Sequence, residues 1–162
     1  MILDSDAHKK DLSSRVIRFR PPRIALALLC FAALLHWSVP LSRIPVFADT
    51  TIAAGLSVAG FALMIRAWWL FRQAGTAVCP TEKSSRMVTG GPYAWTRNPM
   101  YLGMIAMLLG VSVFLGTLPF FCATAAYGLV INSVFCPYEE QKLECEFGEH
   151  YLRYKRQVRR WL

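Results

Sequence analysis

The chain lacks the signatures of the common hydrolytic and nucleotide chemistries. It has no Gly-x-Ser-x-Gly turn for a nucleophilic serine and no His-Glu-x-x-His zinc helix. Its glycines build neither a P-loop nor a Gly-x-Gly-x-x-Gly dinucleotide turn. A hydrolase or a metalloenzyme therefore has no support, and no metal site is expected. There are only three histidines: His36 reads as an interfacial residue, His8 and His150 as surface residues. The five cysteines, Cys30, Cys79, Cys122, Cys136 and Cys145, are odd in number and contain no Cys-x-x-Cys pair. That argues against a disulfide framework and more strongly against zinc. Cys79 is the one candidate for a lone reactive thiol, and small apolar filler is the preferred reading of it. Acidic residues are scarce, 10 against 18 basic ones, for a net charge of +8. No repeat of solenoid period and no low-complexity tract occurs.

Apolar residues are abundant. They make up 55% of the chain, with a mean hydropathy of +0.36, where a soluble domain has about 45–50%. The excess is concentrated in 24–41, 51–71 and 101–138. The first two runs are each near the ~20 residues that cross a bilayer as a helix. The third is too long for one crossing, and Gly116-Thr117-Leu118-Pro119 breaks it. It is read as two short crossings, 100–115 and 119–136. Residues 1–23 are polar and basic and form a surface segment, in which 13–19 suits a short amphipathic turn at the lipid headgroups. The first apolar run begins only at Ile24, after Pro21-Pro22, so the N-terminus is not read as a cleavable signal. A single retained anchor would leave the later apolar runs unexplained.

The cations follow the membrane and do not suggest nucleic acid. Lys9, Lys10, Arg15, Arg18, Arg20 and Arg23 precede the first crossing, and Arg66, Arg72, Lys83, Arg86 and Arg97 lie at the end of the second and in the loop after it. Lys142, Arg153, Lys155, Arg156, Arg159 and Arg160 follow the fourth, and Arg43 alone falls on the other side. Four crossings with both termini in the cytoplasm satisfy the positive-inside rule, whereas three would put the C-terminal cations outside. The expected location is the inner, cytoplasmic membrane, with the bilayer as partner and an anionic leaflet favoured. Trp37, Trp68 and Trp69 fit aromatic belts. Gly55, Gly60, Gly103, Gly110 and Gly116 suit close helix packing. Leu143, Phe147, Tyr151, Tyr154 and Val158 recur at helical spacing over 139–162, an amphipathic cytoplasmic helix with Gly148 as its weak point. The predicted fold is one all-α integral membrane domain, 1–162, of four transmembrane helices and this C-terminal helix.

Polar residues gather at two places on the cytoplasmic boundary. Ionisable groups there are costly unless paired or functional. Pro99 suits the first turn of the third crossing, with Asn98 as its cap. The free N–H groups of that turn, with Arg97 beside them, suit a carboxylate or another anion. Ordinary capping and a phosphate-facing arginine account for the same residues. Gly103, one turn in, lets a ligand or a helix approach the backbone. Tyr101 offers a flat face and a hydroxyl. Glu139 and Glu140 point about 100° apart on a helix, so they do not share one proton; they can grip two parts of one ligand or simply lie in solvent. The loop 72–98 is long for a small helical protein and is expected to fold over the helix ends.

In order along the chain stand Met87-Val88-Thr89-x-Gly91-Pro92-Tyr93, Thr96-Arg97-Asn98-Pro99-Met100-Tyr101-Leu102-Gly103, Glu139-Glu140-x-x-Leu143, Phe147-Gly148-x-x-Tyr151 and Tyr154-x-x-x-Val158-x-Arg160. These resemble the isoprenylcysteine carboxyl methyltransferase and phospholipid methyltransferase superfamily, over about 71–162, in its compact bacterial form. The resemblance implies an integral membrane methyltransferase that uses S-adenosylmethionine on a lipophilic acceptor. By similarity, Arg97, Asn98, Pro99, Tyr101, Gly103, Glu139 and Glu140 would bind the cofactor, the two acids through its ribose hydroxyls or ammonium group. Arg97, Tyr101 and Glu140 are the candidates for a direct catalytic role. Ala106 and Gly110 would line an acceptor groove entered sideways from the bilayer. Two departures stand out. Asn98-Pro99 replaces a His-Pro of the eukaryotic prenylcysteine enzymes, and Tyr138 stands where relatives often carry an arginine before the Glu pair. An NADPH-dependent membrane isoprenoid or sterol reductase, similar around Arg-x-Pro-x-Tyr-x-Gly, and a non-catalytic membrane scaffold remain open beside this reading.

Overall fold

The computed structural model describes residues 20–38, 49–75 and 86–162. They form helices α1 (Pro21–Ser38), α2 (Thr50–Ala74), α3 (Pro99–Leu115), α4 (Leu118–Val130), α5 (Cys136–Phe147) and α6 (Glu149–Gln157). A single 3-10 turn, Gly91–Ala94, precedes α3, and a π turn, Ile131–Phe135, joins α4 to α5. Among the described residues there is no strand, only an isolated bridge between Thr96 and Arg159. The basic segment 1–19, its amphipathic turn, Arg43, Cys79 and Lys83 lie outside the described residues.

Each helix start and stop has a local cause. The Asp49 carboxylate accepts from Thr51 N (2.8 Å) and Ile52 N (3.0 Å), satisfying N–H groups that the first turn of α2 leaves open. Pro99 opens α3 where a missing N–H costs nothing. Gly116, at φ +62°, ends it with a left-handed turn that suits glycine. α1, α2 and the continuous Leu118–Phe147 helix are each long and apolar enough to cross a membrane. α3 is as apolar but has 17 residues, about 25 Å at 1.5 Å per residue, at the lower limit for a crossing. Leu26, Phe31, Leu34, Val58, Phe61, Phe114 and Leu129 are exposed on the helix faces. Water would not tolerate so many apolar side chains, whereas lipid does. The protein is an integral membrane protein.

α2 and α3 pack backbone to backbone. A Cβ built on Gly60 would lie 2.5 Å from Gly103 O, and one on Gly103 would lie 2.5 Å from Gly60 O. A Cβ on Gly110 would lie 2.8 Å from Ala53 O. α1 packs on α4. α3 is tied to α4 by a Ser112–Thr124 hydroxyl bond of 2.9 Å. The core, with Tyr101, Leu108, Tyr127, Ile131, Phe135 and Cys136, lies among α1, α3 and the α4–α5 helix.

No helix break occurs between 136 and 139, and the helix expected over 139–162 is divided at Gly148. Pro137 has no N–H, and its ring would strike the carbonyl four residues back in a regular helix. The π turn just before it widens the ladder, and the Cys136 N–H bonds Ile131 O, five residues back. The helix therefore runs through Pro137 to Phe147, and Glu139 and Glu140 sit inside it rather than at a new start. It stops at Gly148, whose φ of +53° excludes a helical continuation. α6 then reverses as a nine-residue helix, and from Val158 the chain is extended.

Candidate active site

A cavity of about 500 Å³ opens where the start of α1, the end of α2, residues 86–101 and the facing sides of α5 and α6 converge. Its walls are apolar and soft: Phe71, Tyr93, Tyr101, Tyr151 and Tyr154, with Met87, Met100 and Met104. Its charges are Arg20, Arg86, Arg97 and Lys142 against Glu139 and Glu140. Every described lysine and arginine lies within six residues of a cavity-lining residue, so the described positive charge gathers at this end of the bundle.

The two adjacent glutamates, a helical step apart, have different surroundings. The Tyr101 hydroxyl donates to Glu139 Oε1 at 2.5 Å. Lys142, on the same helix and lining the same cavity, attracts Glu139 electrostatically. The Glu140 side chain, 8% exposed, is surrounded by three cations. Arg160 grips it with both arms, Nε to Oε1 at 2.7 Å and Nη2 to Oε2 at 3.0 Å. Arg97 Nη2 donates to Oε1 at 3.1 Å. Lys155 Nζ lies 3.5 Å from Oε2 and pairs with Glu144 as well. The Arg160 guanidinium holds its proton more tightly because it donates to Glu140. Arg97 also donates from Nη1 to Lys155 O (3.3 Å), while its buried Nε has no acceptor. A buried donor without a partner is uncommon enough to require a reason.

The Thr96-Arg97-Asn98 run is held by the end of the chain. Arg97 N donates to Arg159 O at 2.9 Å. Arg160 O accepts from Thr96 Oγ1 at 2.9 Å and Asn98 Nδ2 at 3.2 Å. Asn98 occupies the cap position of α3, but its side chain makes no capping bond; the amide is drawn to Arg160 instead. The tail is anchored at the π turn, where Asn132 Oδ1 accepts from Arg160 Nη1 (3.2 Å) and Trp161 Nε1 (3.0 Å). Above the cavity the Tyr154 hydroxyl donates to Tyr93 O at 2.6 Å. Burial pushes the Tyr154 phenol up to about 12. The Tyr93 phenol is raised by burial and then by the charge of Glu139. Both remain protonated donors at neutral pH.

The structure thus brings Arg97, Asn98, Tyr101, Glu139 and Glu140 to one cavity, with Pro99 buried behind Asn98 as the first residue of α3. Gly103, Ala106 and Gly110 do not join them. Gly103 and Ala106 meet Gly60 of α2, and Gly110 meets Ala53 and Ser57. These residues lie in a helix–helix seam, where backbone contact accounts for the small side chains. Arg160, Asn132, Tyr93, Tyr151 and Tyr154 had no place among the expected site residues. Asn132 carried a signal, a polar side chain inside an apolar crossing. Arg160 stood in the Tyr154-x-x-x-Val158-x-Arg160 motif, but its pairing with Glu140 left no signal, since 20 residues and the Gly148 reversal separate the two.

Residues 48–150, well over half of the chain, match the family described as phospholipid methyltransferase. An uncharacterized protein of Haemophilus influenzae is 41% identical over 63 residues, 39% of this chain and all of that one. A protein-S-isoprenylcysteine O-methyltransferase of Schizosaccharomyces pombe is 34% identical over 80 residues, 48% of this chain but 33% of that protein. No solved structure matches the chain. With a family match of this extent over the helices that build the cavity, the chain belongs to the phospholipid methyltransferase family.

Proposed function

We propose that this protein is a membrane methyltransferase that takes a methyl group from S-adenosylmethionine and passes it to a lipophilic acceptor. The carrying observation is the cavity itself: aromatic and thioether walls, one carboxylate held by a tyrosine hydroxyl, and one arginine whose Nε has no acceptor. At about 500 Å³ it falls within the roughly 300–1,000 Å³ usual for cofactor sites. The residues fit the group. Glu139 matches the donor's ammonium group or its ribose hydroxyls, and a cation there offsets the cost of burying a carboxylate. Arg97 Nε matches the donor's carboxylate. Tyrosine faces suit both the adenine ring and a positive centre. When bound, S-adenosylmethionine supplies an electrophilic methyl group.

The chain's own residues then orient and shield. Tyr101 fixes the Glu139 carboxylate through its hydroxyl. Glu139 is assigned to the ammonium or ribose end and not to the sulfonium. A carboxylate against the sulfonium would stabilise the charge that transfer removes, and so would favour the ground state. In-line displacement requires alignment more than acid–base power, which agrees with a site of fixed hydrogen bonds. The tyrosine and methionine walls keep water from the reacting carbon.

The acceptor side rests on the relatives' names, a phospholipid and an isoprenylcysteine, and on the surroundings of the cavity. It lies between helices whose outer faces are apolar and exposed. Its four cations exceed its two acids, which suits an acceptor with an anionic group. The cation-rich end is assigned to the cytoplasm, with both termini there. Membranes containing the chain, supplied with S-adenosylmethionine labelled in the methyl group, should transfer label to the lipid extract. The Glu139→Gln variant should not. Label confined to water-soluble molecules, or no label above membranes without the chain, would contradict the reading.

A further inference from the structure

We infer that Arg160 is a positioning residue for the donor site: by occupying both oxygens of Glu140, it keeps Arg97 from closing onto that carboxylate. The binding part of this inference rests on the methyl-donor reading above; the geometric part does not.

Three cations share one carboxylate, and Arg160 holds the larger share. Its two contacts, 2.7 and 3.0 Å, are the parallel fork that makes arginine–carboxylate pairs specific. Arg97 reaches Glu140 with Nη2 alone. Its side chain is 10% exposed, and Nε has no acceptor. A buried guanidinium in contact with a carboxylate would ordinarily fork onto it, because an unmet N–H inside a protein is unfavourable. Here the second oxygen is already taken. Arg160 is itself fixed from behind. Its Nη1 lies 3.4 Å from Asn132 O and 3.2 Å from Asn132 Oδ1. Trp161 Nε1 donates to that same Oδ1, and the Arg160 carbonyl is held by Thr96 and Asn98. The fork therefore cannot drift toward Arg97, and Arg97 Nε stays available for an acceptor that a ligand brings.

The test removes the fork and then removes what it restrains. In Arg160→Gln, Arg97 is expected to turn Nε and Nη2 onto Glu140. Binding of S-adenosylmethionine, measured by calorimetry on protein in lipid nanodiscs, should then weaken about tenfold or more. Adding Glu140→Gln to Arg160→Gln removes the pull on Arg97. Affinity should return to within about threefold of the Glu140→Gln variant alone, a coupling between contacting residues that a simple loss of tail docking would not give. Arg160→Lys keeps the charge without the fork. It should fall between wild type and Arg160→Gln, and it carries the same readouts if the glutamine variant does not fold. Independently of any ligand, the Arg97 Nε–H resonance in ¹⁵N-arginine-labelled protein, assigned with Arg97→Lys, should shift downfield in Arg160→Gln and return in the double variant. An unmoved resonance, or a double variant that binds as weakly as Arg160→Gln, would overturn the inference. A wild-type protein that binds no S-adenosylmethionine would remove the donor reading, and the resonance would still decide the positioning.

Discussion

Glu139→Gln is expected to weaken S-adenosylmethionine binding by about tenfold or more, because it removes a charge-assisted bond of roughly 1.5–3 kcal/mol. The variant keeps the shape of the side chain and an oxygen for the Tyr101 hydroxyl, which now donates at 2.5 Å. Folding should survive. Burying the Glu139 carboxylate is costly in the empty protein even with Lys142 nearby, so the neutral amide should melt no lower than wild type. Stability and affinity should move in opposite directions, which separates a binding residue from a structural one. Tyr101→Phe should have the smaller effect of the two, since it frees the carboxylate without discharging it. Calorimetry and thermal melts of the same preparations decide this. Glu139→Gln protein that binds as well as wild type would return Glu139 to a passive role.

A second large effect is expected at the α2–α3 seam. Gly103→Leu should yield little or no folded protein, since its Cβ alone would lie 2.5 Å from the Gly60 carbonyl. Gly110→Leu should behave likewise, with its Cβ 2.8 Å from Ala53 O. Backbone cannot yield as a flexible side chain does, so the helices would have to separate. Even Gly103→Ala should cost about 1–3 kcal/mol, the usual range for overpacking. Gly128→Ala is the contrast, because its Cβ would meet only Ile105 Cδ1 at 3.8 Å. Size-exclusion profiles and melting temperatures in one detergent measure all four. Wild-type behaviour of Gly103→Leu would contradict the packing described here.

These two regions also show how far the sequence could be read. The apolar runs at 24–41 and 51–71 anticipated α1 and α2, because a stretch of that length has few alternatives. Glycines 103 and 110 were visible, but spacing alone cannot say whether a missing side chain faces a ligand or a helix. No break occurs before Glu139: Pro137 would ordinarily end a helix, and the π turn at Ile131–Phe135 absorbs it. Arg97, Tyr101 and the two glutamates could be singled out as polar groups at the edge of apolar runs. Their division of labour could not. Glu139 and Glu140 are neighbours in sequence, and what distinguishes them is Arg160, delivered by a chain reversal at a positive-φ glycine. Long-range pairs of this kind leave no periodicity to find.

The central claim is that the cavity between Arg97, Tyr101 and Glu139 is a methyl-donor site. Titrating the purified protein in lipid nanodiscs with S-adenosylmethionine and, separately, with NADPH tests it most directly. Saturable binding of S-adenosylmethionine that Glu139→Gln weakens, with no binding of NADPH, is the predicted result. Saturable binding of NADPH with none of S-adenosylmethionine would contradict the account and favour a reductase.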